Sequence, residues 1–212
     1  MTGLPLTHRN GAFLYARSRA LPLTLTTLAG AAAVAAWGAH WLQEQLGYGG
    51  NARVPVVVLA PLLAASAIGT GLHSHSDDLD RTAVRPWWPR RAAQLLVLTA
   101  LAACLLALAV PGDPGRWGAA AIVRNALGDT GLAAASAALL GARLSWLPVT
   151  VYGSAVYLAA PREAGGAPAV WAWVMQPGPQ GAAWAVAVGL FAAGGVLYAL
   201  RGARPEEPGP RA

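Results

Sequence analysis

Long apolar runs alternate with short polar gaps along this chain, and the runs have the length of membrane helices. A helix that crosses a bilayer needs roughly 20 mainly apolar residues. Six windows near that size stand between charges, Pro/Gly turns or tryptophans, at about 21–42, 54–72, 92–110, 117–142, 144–160 and 182–200. The pattern predicts an all-α polytopic membrane protein with one six-helix transmembrane domain over 21–200, an N-terminal segment 1–20 and a tail 201–212.

The windows differ in clarity. The first follows Arg9, Arg17 and Arg19 and ends in Trp37 and Trp41; the second carries Pro61, which a membrane helix tolerates as a kink. The third starts after Arg90 and Arg91 and stops at Pro111-Gly-Asp-Pro-Gly115. The fourth contains Arg124, Asn125 and Asp129, so Trp117 to Asn125 reads either as the start of the span or as an interfacial helix leading into a shorter one. The fifth is short and holds Pro148, and the sixth ends at Arg201 and Arg204. Between those two, Pro161 to Gly181 carries Trp171 and Trp173 and reads as a loop or short interfacial helix on the outer surface, since tryptophan favours the headgroup level.

The arginines set the orientation. Arg9, Arg17, Arg19, then Arg81, Arg85, Arg90, Arg91, then Arg143, then Arg201, Arg204 and Arg211 fall in alternate gaps, and the other gaps hold only Arg53, Arg116 and Arg162. Positive residues stay on the cytoplasmic side of short loops, so both termini are expected in the cytoplasm of a bacterial cell membrane. The apolar run after Arg19 exceeds the usual ~7–15 residue signal core and lacks a convincing cleavage site, so it is expected to stay as the first helix. The tail Pro205-Glu-Glu-Pro-Gly-Pro210 is expected to be disordered.

Composition strengthens this picture and narrows the chemistry. Hydrophobic residues make up 56% of the chain and charged ones 11%, where a soluble domain has about a quarter charged. The net positive charge sits at the ends of apolar runs, pointing to lipid headgroups and not to nucleic acid. The lone Cys104 lies in an apolar stretch, which excludes a disulfide framework and predicts a buried, inert thiol. No lysine and no Walker A sequence exist, so the chain is not expected to be an enzyme or to hydrolyse ATP by the P-loop route.

Three polar groupings remain. The densest is His73 to Arg91, where Ser76 is placed to N-cap a short amphipathic helix with Asp77 and Asp78 in its first turn, between the second and third spans. His73, His75 and Asp77, with Asp78 and Asp80, are weak candidates for a divalent metal; histidines two apart do not share a helix face, so convergence would need extended backbone. Arg124, Asn125 and Asp129 are the one strongly polar cluster inside a span. Intramembrane charge is costly enough to suggest function; the competing reading has Arg124 snorkelling to the outer interface and Asp129 pairing locally. His40 has no evident second axial histidine for haem, and Ser154 has no later histidine to activate it.

Six spans, cytoplasmic termini, a polar helix after the second span and a re-entry marked Arg85-Pro86 with Arg90-Arg91 resemble the membrane subunit of a type-2 ABC exporter in its short actinobacterial form. Arg124-Asn-Ala-Leu-Gly-Asp-Thr-Gly-Leu132 and Leu140-Gly-Ala-Arg-Leu-Ser-Trp-Leu-Pro148 are similar to such subunits too. The resemblance implies a coupling helix, with Asp77, Asp78, Asp80 and Arg81 docking on a separate ATPase that binds the ATP. It also implies pairing with itself or a similar chain, for which small residues such as Gly189 and Ala193 permit close packing. The chain departs from the usual glutamate-rich coupling segment. The expectation is an ATP-driven exporter permease working by alternating access, with no cofactor in this chain. The alternative is a non-transporting membrane protein that recruits a cytoplasmic partner or binds a divalent metal through 73–80; a phospholipid-modifying enzyme lacks the paired aspartates it would need.

Overall fold

A computed structural model describes residues 21–46, 54–73, 87–110, 117–161 and 164–205. The regular structure among them is helical: α1 (Leu21–Leu46), α2 (Val54–Gly71), α3 (Trp88–Ala109), α4 (Ala119–Leu140), α5 (Trp146–Ala159), α6 (Pro168–Trp171) and α7 (Gly181–Arg201), with short 3-10 turns at Ala142–Leu144 and Trp173–Met175. Stretches of α1, α3 and α7, namely Pro22–Leu42, Trp88–Ala109 and Gly181–Arg201, are long and apolar enough to cross a membrane by length and composition. The protein is accordingly a membrane protein of the all-α class.

Consecutive long helices run in opposite directions. Thr24 lies against Gly71 at one end of the α1/α2 pair while Val56 faces Gly38 at the other. Ser145 meets Gly69, and Arg91 at the start of α3 meets Gly202 just past α7. The Arg204 N–H donates to the Ala137 carbonyl, so α4 and α7 finish together and are parallel. One end of the bundle therefore gathers Arg91, Arg143, Arg201 and Arg204. Both α4 and α7 stop there on a glycine with positive φ, Gly141 at 100° and Gly202 at 75°, conformations that a side chain disfavours.

Helix α4 is the centre, packed against α2, α3, α5 and α7. It can be surrounded because its faces are small: an ideal Cβ on Gly194 of α7 would fall on the Gly131 backbone, and one on Gly131 would stand 2.5 Å from the Leu190 backbone. Close backbone approach of this kind is how membrane helices gain packing without a hydrophobic driving force. The contact passes through Gly194, and the Gly189 and Ala193 singled out from sequence are exposed on the other face of α7.

Several expectations are corrected. Trp117 and Gly118 lead directly into one continuous α4, so the Trp117–Asn125 stretch is no separate interfacial helix. Cys104 is exposed on the outer face of α3, since Ala102, Ala103 and Leu106 occupy the inward positions. Of the tryptophans in the loop before α7, Trp171 is exposed but Trp173 is buried inside the bundle.

Candidate functional site

The first turns of α4 carry Arg124 and Asn125 and the next turn carries Asp129 and Thr130. Arg124 and Asn125 are 0% exposed and Asp129 is 2% exposed. A helix packed on four sides has no outward face, so these groups must find partners inside the protein or go without.

Arg124 finds three. Its Nη2 donates to the Gln176 carbonyl at 2.7 Å and its Nη1 to the Pro177 carbonyl at 2.8 Å. Nε and Nη2 also donate to Oδ1 of Asn125, at 3.1 and 3.0 Å. The planar guanidinium fork suits such divided use better than an ammonium would. Arg124 thus turns inward and does not snorkel to the surface, which overturns that reading.

Asn125 completes the set by donating from Nδ2 to the Val174 carbonyl at 2.9 Å and the Val57 carbonyl at 3.0 Å. Val57 lies four residues before Pro61 inside α2. Proline has no N–H, so the Val57 carbonyl lacks its helical donor, and the Asn125 amide takes that place. The kink residue in α2 and the polar residue in α4 belong to one arrangement.

Both residues tie down the segment between α5 and α7, which folds into the bundle. Its carbonyls at 174, 176 and 177 lie outside regular helix and need donors wherever water is absent. Trp173 enters over α4 because residue 128 is glycine: an ideal Cβ there would stand 2.6 Å from Cζ3 of the indole. The Trp173 ring stacks on Tyr152 with centroids 6.2 Å apart, and the Tyr152 hydroxyl donates to the Trp171 carbonyl at 2.8 Å. Gln176 Oε1 accepts from the Gly165 N–H, and Trp184 Nε1 donates to the Gly178 carbonyl. Helices α4, α5 and α7 all hold the loop in place.

Asp129 stands apart. Its Oδ2 is buried with no hydrogen-bond partner, and it makes no ion pair with Arg124, although the two charges act on each other. The hydrogen bonds of Arg124 go to the neutral oxygens of Asn125, Gln176 and Pro177. Sequence spacing placed Asn125 and Asp129 one turn apart on a helix, and the structure puts both inside; five residues separate Arg124 from Asp129, and no distortion at Gly128 brings them together.

Elsewhere, His73 is half-buried just past α2, while His75, Asp77, Asp78, Asp80 and Arg81 lie outside the described residues. Among the described residues no three His, Cys, Asp or Glu side chains converge as metal ligands. His40 is exposed and sits 3.3 Å from Glu44 one turn on. Ser154 is exposed on α5. The site members that sequence reasoning missed are Val57, Tyr152, Trp173, Val174, Gln176 and Pro177. Pro61 was the available signal for Val57, because a helical proline always leaves one carbonyl without its donor.

Compared with known proteins, the chain matches no family model, no curated protein and no solved structure.

Proposed function

We propose that the chain is a multi-pass protein of the bacterial cytoplasmic membrane, crossing it six times with both termini in the cytoplasm, and that it is the membrane subunit of an ATP-driven exporter whose ATPase is a separate polypeptide. The carrying observation is a division of labour between the two ends of the bundle. At one end stand the arginines Arg91, Arg143, Arg201 and Arg204, together with His73 and Trp87, the flanks of the polar segment proposed to dock the ATPase. At the other end a loop is held inside the bundle by Arg124 and Asn125, above a buried carboxylate with an unused oxygen.

The long apolar stretches of α1, α3 and α7 support three of the crossings by length and composition. Helix α5 has 14 residues, which rise about 21 Å, short of the ~30 Å hydrocarbon core. The loop folded against its far end makes up the difference, and irregular backbone at that depth is tolerated because it is enclosed in protein. Closure of two ATPase copies would push on the segment around Asp77 to Val84 and rock the helices of paired permease chains. Release of the Arg124-bound loop would open the outer side.

Purification of the tagged chain from its native host tests this directly. An ATPase encoded nearby is expected to co-purify, and Asp77→Arg with Asp78→Arg is expected to remove both the ATPase and ATP-dependent export while leaving the membrane-inserted protein intact. Export and co-purification that survive the charge reversal would end the docking assignment. Stoichiometric metal that disappears in His73→Ala/His75→Ala, with no ATPase bound, would favour the non-transporting reading.

A further inference from the structure

Arg124 and Asp129 are both buried on α4, five residues apart, and they do not pair. A buried charge without a counter-charge is costly, and a buried oxygen without a donor adds to that cost. Asp129 Oδ2 is such an oxygen, while the Arg124 guanidinium donates to the Gln176 and Pro177 carbonyls of the loop. Each of the two residues feels the charge of the other. The seated loop thus takes the donor that Asp129 lacks.

Helix geometry keeps the two side chains close. Five residues rise about 7.5 Å, and helical side chains lean towards the N-terminus, so the Asp129 carboxylate leans back over the turn that carries Arg124 and Asn125. The guanidinium already sits on that side: its Nε and Nη2 donate to Asn125 Oδ1 at 3.1 and 3.0 Å, and Asn125 and Asp129 stand one turn apart on one face. What fills the neighbourhood is the loop itself. The Trp173 ring covers Gly128, the residue next to Asp129, and stacks on Tyr152, which also feels the Asp129 charge. One segment therefore both occupies Arg124 and packs beside Asp129.

We propose that Asp129 is the second seat of Arg124: when the loop leaves the bundle, the guanidinium turns from the Gln176 and Pro177 carbonyls to Oδ2 of Asp129. The arginine is then partnered in both states, by neutral carbonyls while the loop is seated and by a carboxylate once it is out. Without Asp129 the departing loop would strand a guanidinium among the helices, and the loop would stay shut. The oxygen left unused in the closed state is what makes the open state reachable, and the pair becomes a two-position latch. The latch rests on the reading that this loop gates the outer side, and it adds what holds the gate open. Water entering beside Arg124 is the competing partner, and it needs no carboxylate at 129.

A cysteine in place of Val174, which is 1% exposed, reports loop exit, because maleimide reaches it only when the segment leaves the bundle. The full chain carrying Cys104→Ala and Val174→Cys is reconstituted in nanodiscs without any ATPase. Asp129→Asn, which removes the charge and keeps the shape, is expected to slow labelling about tenfold, a usual size for coupling between two sites. Arg124→Leu is expected to speed labelling, and in that background Asp129→Asn should change nothing. Asp129→Glu, which keeps the charge, is expected to label faster than Asp129→Asn. If the Asn variant fails to insert, Asp129→Ala gives the same comparison with no amide to bury. Labelling that is unchanged or faster in Asp129→Asn, slowed as much in Asp129→Glu, or slowed equally with Arg124 absent would overturn the latch. A chain that co-purifies with no ATPase would end the exporter reading and leave the labelling result standing, which separates the two failures.

Discussion

Asn125 donates to the Val57 carbonyl at 3.0 Å, supplying from α4 the hydrogen bond that Pro61 withholds within α2. A local defect in one helix is thereby repaired by a side chain 68 residues away, and the two helices are fixed in register by that exchange.

A double-mutant cycle tests the relationship. Asn125→Ala alone is expected to destabilise the protein by about 1–3 kcal/mol, because it strands buried acceptors. In a Pro61→Ala background the Val57 carbonyl regains its helical donor, so the loss is expected to shrink by at least ~0.5 kcal/mol. Equilibrium unfolding in mixed detergent micelles measures both, and strict additivity would show that Asn125 and Pro61 are independent.

Arg124 supports the loop at Gln176 and Pro177. Arg124→Leu is expected to cost about 1.5–3 kcal/mol as charge-assisted hydrogen bonds vanish and to raise maleimide labelling at a cysteine placed at exposed Ala167, with Cys104 replaced by alanine. Arg124→Lys should recover only part of both, since one ammonium does not reproduce the fork. Unchanged labelling in Arg124→Leu would mean the loop is held by its other contacts.

The glycines of α7 should separate sharply. Gly194→Leu has no room beside the Gly131 backbone and is expected to cost about 3 kcal/mol or more, at or above the top of the usual overpacking range. Gly189→Leu meets open space, with nothing within 4 Å of its ideal Cβ, and is expected to stay within about 0.5 kcal/mol of wild type. Thermal unfolding of the two variants in the same detergent compares them directly.

Removing the orphaned carboxylate is expected to stabilise the fold. Asp129→Ala removes the unsatisfied buried group, worth about 1–3 kcal/mol, without adding volume to a packed site, so the midpoint of thermal unfolding should rise. A lower midpoint would mean that Asp129 has a partner in the membrane that the fold depends on.

Cys104 offers a test of placement that needs no engineered cysteine. It lies on the exposed face of α3, so a nitroxide attached there in a bilayer should be relaxed by oxygen and shielded from a water-soluble nickel chelate. The reverse accessibility would put α3 outside the hydrocarbon region.

The helix-forming windows were legible because length and apolarity are local properties: the fourth window, for instance, is cut by Gly118 before it and Gly141 after it, and α4 runs between them. Arg124, Asn125 and Asp129 were also legible as exceptions, since charges inside an apolar run stand out by cost alone. Their roles were not. Nothing near Trp173 in sequence says that it enters the bundle, because the space it fills is made by Gly128 45 positions earlier and the carbonyls beside it are satisfied from α4.

The sequence by itself determined that the protein is helical and made for lipid, and about where its long helices lie, because hydropathy, proline and glycine act on their own neighbourhood. Tertiary structure alone decided that Arg124 would serve the loop and not Asp129, that Asn125 would repair Val57, and that α7 would approach α4 through Gly194. Those outcomes depend on which acceptors and which gaps are brought within 3 Å or so, and only the packed arrangement of helices sets such distances.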